Sequence, residues 1–410
     1  MEYNVHTLPN GIRLLHVPSA SAISHACIII NTGSRDEPDQ KAGLAHFIEH
    51  LIFKRTEKRS TNQILNRLES IGADLNAYTT KEYTCVHASF LNPYLDRTLE
   101  LFNDIIFHST FPEEEMDKEK SVILDEIASY LDQPEEAVND DFEDMLFAGH
   151  PLGNNILGTT ESVQRFTRED VINFRKANYR TNEIVVAVLG DYTFKNMVTK
   201  GTKYFADVEE NSGVQHRLKP PVLAQSNTTI YKPIMQAHCI IGTQAYTTHQ
   251  SEKVPLMLLN NYFGGNGMSS VLNLQIREKY GIAYTIESNF SPLSDTGIFS
   301  IYFGTDKEKQ AKALSLIFKE IKKLKDNPLN ELQLQKAKNK FIGQIALGEE
   351  NRIGLIISMA KSLIDHHKID SLETVFGKIN AVTPDQMAQV VNEVLDIDRL
   401  NIFTFSPIAE

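Results

Sequence analysis

Apolar residues along this chain fall into two rhythms. Short continuous runs such as Ala26-Cys27-Ile28-Ile29-Ile30 and Ile184-Val185-Val186-Ala187-Val188 are rich in β-branched residues and predict strands. Stretches 60–71, 92–108, 113–131 and 167–177 space their apolar residues at helical pitch and predict helices. Within 113–131, Met116, Ile123, Ile127 and Leu131 form one apolar stripe on an otherwise charged segment. Strands interleaved with helix pairs predict an α+β fold of sheets with helices packed on them. No run of about 18 apolar residues occurs, so no membrane-spanning helix is expected.

The pattern occurs twice. Ala26-Cys27-Ile28-Ile29 reappears as His238-Cys239-Ile240-Ile241, and Glu113 to Ile127 aligns without gaps on Glu331 to Ile345 at an offset of 218. Thr167 through Val188 is a helix followed by an apolar strand, and Thr383 through Phe405 repeats that order. Two copies of one α/β unit of roughly 200 residues are therefore expected. The division falls at residues 1–206 and 228–410, joined by a polar, proline-bearing linker at 207–227 that contains Pro220-Pro221.

Candidate chemistry lies on the first copy. His46-Phe47-Ile48-Glu49-His50 is an H-x-x-E-H arrangement in a predicted helix, where residues three and four apart share a face. Two imidazoles and a carboxylate thus point into one small volume. That set suits zinc, with two neutral imidazoles as ligands and an acid one turn away to accept a proton from a polarised water. A tetrahedral catalytic site needs a third protein ligand. The acidic helix 113–131 supplies candidates, among them Glu119 and Glu126, seven apart and near one face, although a Glu on a charged helix is more commonly a surface residue.

His46-x-x-Glu49-His50 followed 76 positions on by Glu126 resembles the M16 metallopeptidases, the pitrilysin and mitochondrial processing peptidase group, in its short two-domain form. Gly33-Ser34-Arg35-Asp36-Glu37-Pro38, Gly43-Leu44-Ala45, Asn76-Ala77-Tyr78-Thr79 and Gly149-His150-Pro151-Leu152-Gly153 extend the resemblance from about Thr7 to Pro407. It implies a zinc-dependent endopeptidase with one zinc per chain, held by His46, His50 and Glu126. Glu49 is then the general base, and Glu119 supports the ligands without binding metal. Asn76 and Ala77 are expected on a strand edge near the zinc, where a substrate peptide can add as a further strand. The resemblance also implies that the two halves form half of a clamshell, completed by a second chain, so that a homodimer or a dimer with a paralogue is expected.

The repeat assigns the metal to one half. Glu126 becomes Gln344 and Glu119 becomes Ala337, while 255–262, the counterpart of the H-x-x-E-H helix, contains neither His nor Glu. A neutral amide is a poor zinc ligand. The second half carries Phe263-Gly264-Gly265-Asn266-Gly267-Met268-Ser269-Ser270, then Arg277 and Tyr284. The glycines lack the Gly-Lys-Ser/Thr of a phosphate loop and are expected to end one helix and turn into the next. Arg277 and Tyr284, seven apart, match the Arg/Tyr pair of active M16 enzymes, where the guanidinium grips a peptide carbonyl and the phenol donates to an oxyanion. In longer relatives the zinc lies in the first of four such domains and the pair in the last, which implies a site shared between two copies of this chain.

Composition narrows the partners. A net charge of −12 disfavours nucleic acid. Three separated cysteines, Cys27, Cys85 and Cys239, sit in apolar runs and are expected to be buried and reduced, which fits the cytoplasm. The N-terminus lacks the basic and apolar regions of a signal peptide. Peptides are the expected substrates, and a non-catalytic partner or scaffold subunit of an M16-type complex is the alternative.

Overall fold

Residue alternation in the two apolar runs defines the first sheet. A computed structural model describes residues 2–408. Its first sheet has six strands: β1 (Asn4–Thr7), β2 (Arg13–Pro18), β3 (Ile23–Ile30), β4 (Asp74–Thr79), β5 (Thr84–Leu91) and β6 (Ile184–Gly190). Their spatial order is β1-β2-β6-β3-β5-β4, antiparallel throughout except for the β2–β6 pair. Ile184, Val186 and Val188 of β6 join the core beneath helices Leu44–Leu51, Thr61–Glu69, Leu95–Phe107 and Arg168–Asn178. Val185, Ala187 and Leu189 point the other way, with Leu15, Val17, Cys27 and Ile29, into a second apolar layer. Both faces are covered, so β6 is uniformly apolar rather than alternating.

The cover on that second face comes from far along the chain. Helix Arg352–His366 supplies Ile356, Met359, Ala360, Leu363 and Ile364 to it. Arg13 fastens the helix end by donating to the Leu363 carbonyl at 2.8 Å.

The second sheet contains β7 (Asn227–Lys232), β8 (Ala237–Gln244), β9 (Ala283–Pro292), β10 (Gly297–Thr305) and β11 (Asn401–Pro407), in the order β7-β11-β8-β10-β9. Cys239 and Ile241 of β8 enter one core with helices Lys253–Phe263, Gln310–Asp326 and Pro384–Val394. Ile240 enters another, formed with Phe403, Phe405 and the helix Pro134–Leu146 through Ala137, Val138 and Phe142. Gly242 permits this contact: a Cβ there would lie 2.8 Å from the Phe142 ring.

The repeat is thus carried through with an exchange. Helix Pro134–Leu146 shifted by the offset of 218 falls on Arg352–His366. Each of these helices covers the sheet built from the other copy. The two compact units accordingly comprise the chain to Ala128 with Asn154–Arg217 and Gly348–Ile369, and Ser129–Gly153 with Leu218–Leu347 and the chain from Asp370. Residues 209–226 carry neither helix nor strand. Cys27, Cys85 and Cys239 are buried and unbridged.

Candidate metal centre and catalytic cluster

The helix Leu44–Leu51 positions the H-x-x-E-H residues. It buries Leu44, Phe47, Ile48 and Leu51, which turns the polar face outward as a unit. Its start is fixed twice. Gly43 takes φ +93°, and a Cβ at that position would meet the Leu157 carbonyl oxygen at 2.6 Å, so glycine is required. The buried Glu37 carboxylate accepts from the Gly43 and Ala45 backbone N–H groups at 2.9 and 2.7 Å. Burial pushes the Glu37 carboxyl up, and those two donors oppose it.

Three side chains converge. His46 and His50 from this helix and Glu126 from helix Glu113–Leu131 bring one nitrogen or oxygen atom each within 4.8 Å of the others. Glu126 Oε2 lies 3.9 Å from His46 Nε2 and 3.7 Å from His50 Nε2. Ligands at ordinary zinc bond lengths are separated by roughly 3.3 Å, so small rotations would close the set. Glu49 lies outside it.

The surroundings of His46 put its ring in the state a metal needs. Burial, and then the neighbouring His50, pull the His46 pKa down to about 3, so the imidazole is neutral with a free lone pair. His46 Nδ1 is buried with no hydrogen-bond partner among the described residues. The His50 Nδ1 lies 3.0 Å from Glu119 Oε2, which fits a tautomer donating there and leaving Nε2 free. Lys54 Nζ in turn sits 2.6 Å from Glu119 Oε1. Burial would raise the Glu119 carboxyl, but the bonds from His50 and Lys54 outweigh it and hold it below the ordinary range. The donor set fits a zinc ion: two imidazoles, one carboxylate, and a second carboxylate behind a ligand.

Glu49 is held separately. Thr79 Oγ1, at the end of β4, donates to Glu49 Oε2 at 2.6 Å. Burial raises the Glu49 carboxyl, with the Thr79 bond and His50 opposing and Glu126 adding to the rise. A raised carboxyl is a better proton acceptor than an ordinary one. The sequence pattern places Thr79 only in a strand. Its bond to Glu49, and the Lys54 link to Glu119, follow from tertiary placement, though Lys54 does stand one helical turn beyond His50.

β4 is the edge strand of its sheet, with Asn76 exposed. The Ala77 N–H is capped by the Asn76 side chain at 2.8 Å, a local bond that a peptide docking along this edge would replace.

The second unit repeats the architecture without the ligands. On helix Glu331–Gly348, Gln344 Oε1 accepts from Asn261 Nδ2 at 2.6 Å, and Gln344 Nε2 donates to the Asn266 carbonyl at 3.0 Å. An amide thus stands where the first unit has the Glu126 carboxylate. Arg277 and Tyr284 belong to this second unit. Arg277 lies on a π-helical turn at Asn273–Glu278, near Glu278, and Tyr284 is the second residue of β9, 58% exposed, with its hydroxyl 3.5 Å from Asp306.

A family model described as Insulinase (Peptidase family M16) matches residues 15–160, and one described as Peptidase M16 inactive domain matches residues 165–341. An uncharacterized zinc protease of Bacillus subtilis, YmxG, is 30% identical over 396 residues, 96% of each chain. Another, from Streptomyces coelicolor, is 30% identical over 95% of this chain and 86% of its own. Among solved structures, a peptidase M16 inactive domain from Pseudomonas fluorescens superposes with a TM-score of 0.91 at 19% identity, covering 100% of this chain and 99% of its own. A protease from Helicobacter pylori gives 0.89 at 21% identity over 99% of both. These two show the fold. With M16 family models matching residues 15–160 and 165–341, and relatives aligned over nearly the whole length, the chain belongs to peptidase family M16.

Proposed function

We propose that this chain is a zinc-dependent endopeptidase acting on peptides or unfolded segments, with one zinc per chain. One observation carries the reading: His46, His50 and Glu126 converge while Glu49, outside the set, is held beside them by Thr79. Bound zinc supplies positive charge that polarises a carbonyl and makes a water more acidic. Glu49 takes the proton at Oε and delivers it to the leaving amine. Thr79 fixes the orientation of that carboxylate. Glu119 and Lys54 hold the His50 ring, and the depressed His46 pKa keeps that ligand unprotonated through the neutral range. Metal analysis of the purified protein, with mass-spectrometric cleavage mapping on a peptide mixture, tests the reading. Stoichiometric zinc without any cleavage would favour a non-catalytic partner subunit instead.

Glu126→Gln copies what the second unit has at Gln344. It is expected to reduce zinc from about one to a small fraction per chain, read by metal analysis after dialysis, because the amide removes the one anionic ligand. Retention of stoichiometric zinc would remove Glu126 from the ligand set.

Arg277 and Tyr284 complete the proposal as carbonyl grip and oxyanion donor. Two chains form a homodimer in which the zinc of one faces this pair from the other, giving two shared sites by symmetry. Tyr284→Phe is expected to lower turnover by about 10²–10³-fold with zinc intact, as loss of one oxyanion donor does. Complementation checks the sharing. A Glu49→Gln chain mixed with a Tyr284→Phe chain places both defects in one site and none in the other, so activity returns. If the subunits exchange and activity stays at the single-mutant level, the sites are not shared.

A further inference from the structure

Beside Glu49 and His50 the first unit holds a cavity of about 300 Å³. That is the lower end of the roughly 300–1,000 Å³ spanned by ligand pockets. Its apolar wall is built from three elements: Phe53 just after the helix Leu44–Leu51, Leu65 on helix Thr61–Glu69, and Leu75 with Ala77 on β4. Leu65 is exposed, an apolar side chain turned to the opening rather than to the core.

The charges on the cavity wall do not balance. Lys54 and Glu119 are paired at 2.6 Å and cancel. Glu69 also lines the cavity, and no ion pair to it occurs among the described residues. It is the last residue of its helix, the end where the aligned peptide dipoles favour a cation over an acid. A carboxylate in that position gains nothing from its own helix. Its surroundings are an apolar trough that leads to it from the edge strand.

We propose that this cavity is a side-chain subsite selecting lysine or arginine in the peptide cut at the adjoining centre. The methylene stem lies along Phe53, Leu65 and Leu75, and the cationic tip meets Glu69. Long basic side chains have this form, an apolar stem ending in a charge. β4 supplies the backbone partner, because its outer edge is unpaired within the sheet and can take an extended peptide. The inference rests on the peptidase reading given above and names the side-chain class that the site would prefer.

The test uses the full chain and one neutral peptide in which lysine, glutamine, leucine or glutamate is placed at each position in turn. Binding is read by fluorescence anisotropy on the zinc-loaded Glu49→Gln protein, and cleavage by kcat/KM on the zinc-loaded wild type. At one position lysine should exceed glutamine about 2- to 5-fold, the range of an exposed ion pair. Adding Glu69→Gln should bring that ratio to about one, and Glu69→Lys should make glutamate the better residue there. An unchanged lysine-to-glutamine ratio in Glu69→Gln, or leucine binding more tightly than lysine at every position, overturns the subsite. If the binding ratios behave as expected while zinc-loaded wild type cuts no member, the subsite stands and the peptidase reading falls.

Discussion

Replacing Glu49 by glutamine is expected to leave zinc bound and to lower peptide turnover by roughly 10²–10⁴-fold, the usual contribution of a positioned general base. The substitution is almost isosteric. Thr79 can still donate to the remaining side-chain oxygen, and none of the three convergent donor atoms is altered. What is lost is the capacity to take a proton. The local surroundings raise the Glu49 carboxyl chiefly by burial, so the wild-type side chain is tuned toward proton transfer and the amide has no substitute for it. Zinc content and kcat are measured on the same preparation. Near-normal cleavage in the variant would sink the assignment of Glu49, whereas loss of zinc would mean that Glu49 also holds the metal.

The second large effect concerns integrity of the first unit. A fragment ending at Arg217 contains every strand of the first sheet and all three residues proposed to hold the metal, yet it should not fold alone. It lacks helix Arg352–His366, the cover over Leu15, Val17, Cys27, Ile29, Val185, Ala187 and Leu189. Four large side chains of that helix, Ile356, Met359, Leu363 and Ile364, contribute about 1.5–3 kcal/mol each when buried. Their sum is comparable with the whole stability of an ordinary domain, about 5–15 kcal/mol. The fragment should therefore bind a hydrophobic dye and show no cooperative melt, and co-production with residues 218–410 should restore both folding and zinc binding. A fragment that melts cooperatively and binds stoichiometric zinc by itself would show that the exchanged helix is dispensable.

The residues at the centre were legible because their signal is local. His46, Glu49 and His50 share one helical face, whereas Glu126 was singled out from the other acids of its helix only by the family resemblance. The strands were legible in β6 for a similar reason, since an unbroken apolar run demands cover on both faces. What the run does not encode is which helix provides the cover. Helix Arg352–His366 is apolar enough to pack on either sheet, and only long-range complementarity selects the first. The same limit hid Thr79 and Glu69. Neither residue type is unusual in a strand or on a helix surface, and each becomes informative only when β4 and helix Thr61–Glu69 are brought beside the helix Leu44–Leu51.

The exchanged helix also sets a timetable for synthesis. The last strand of the first sheet ends at Gly190, and the helix that closes its second face ends at His366, 176 residues later. At about 5–20 residues per second, a growing chain carries that bare apolar sheet face for roughly 9–35 seconds before its cover is made. Aggregation competes with folding throughout that interval. Substitutions within 352–366 should therefore depress the yield of soluble protein in cells more than their effect on the melting temperature of the finished molecule indicates, and a holdase chaperone supplied during translation should recover the difference.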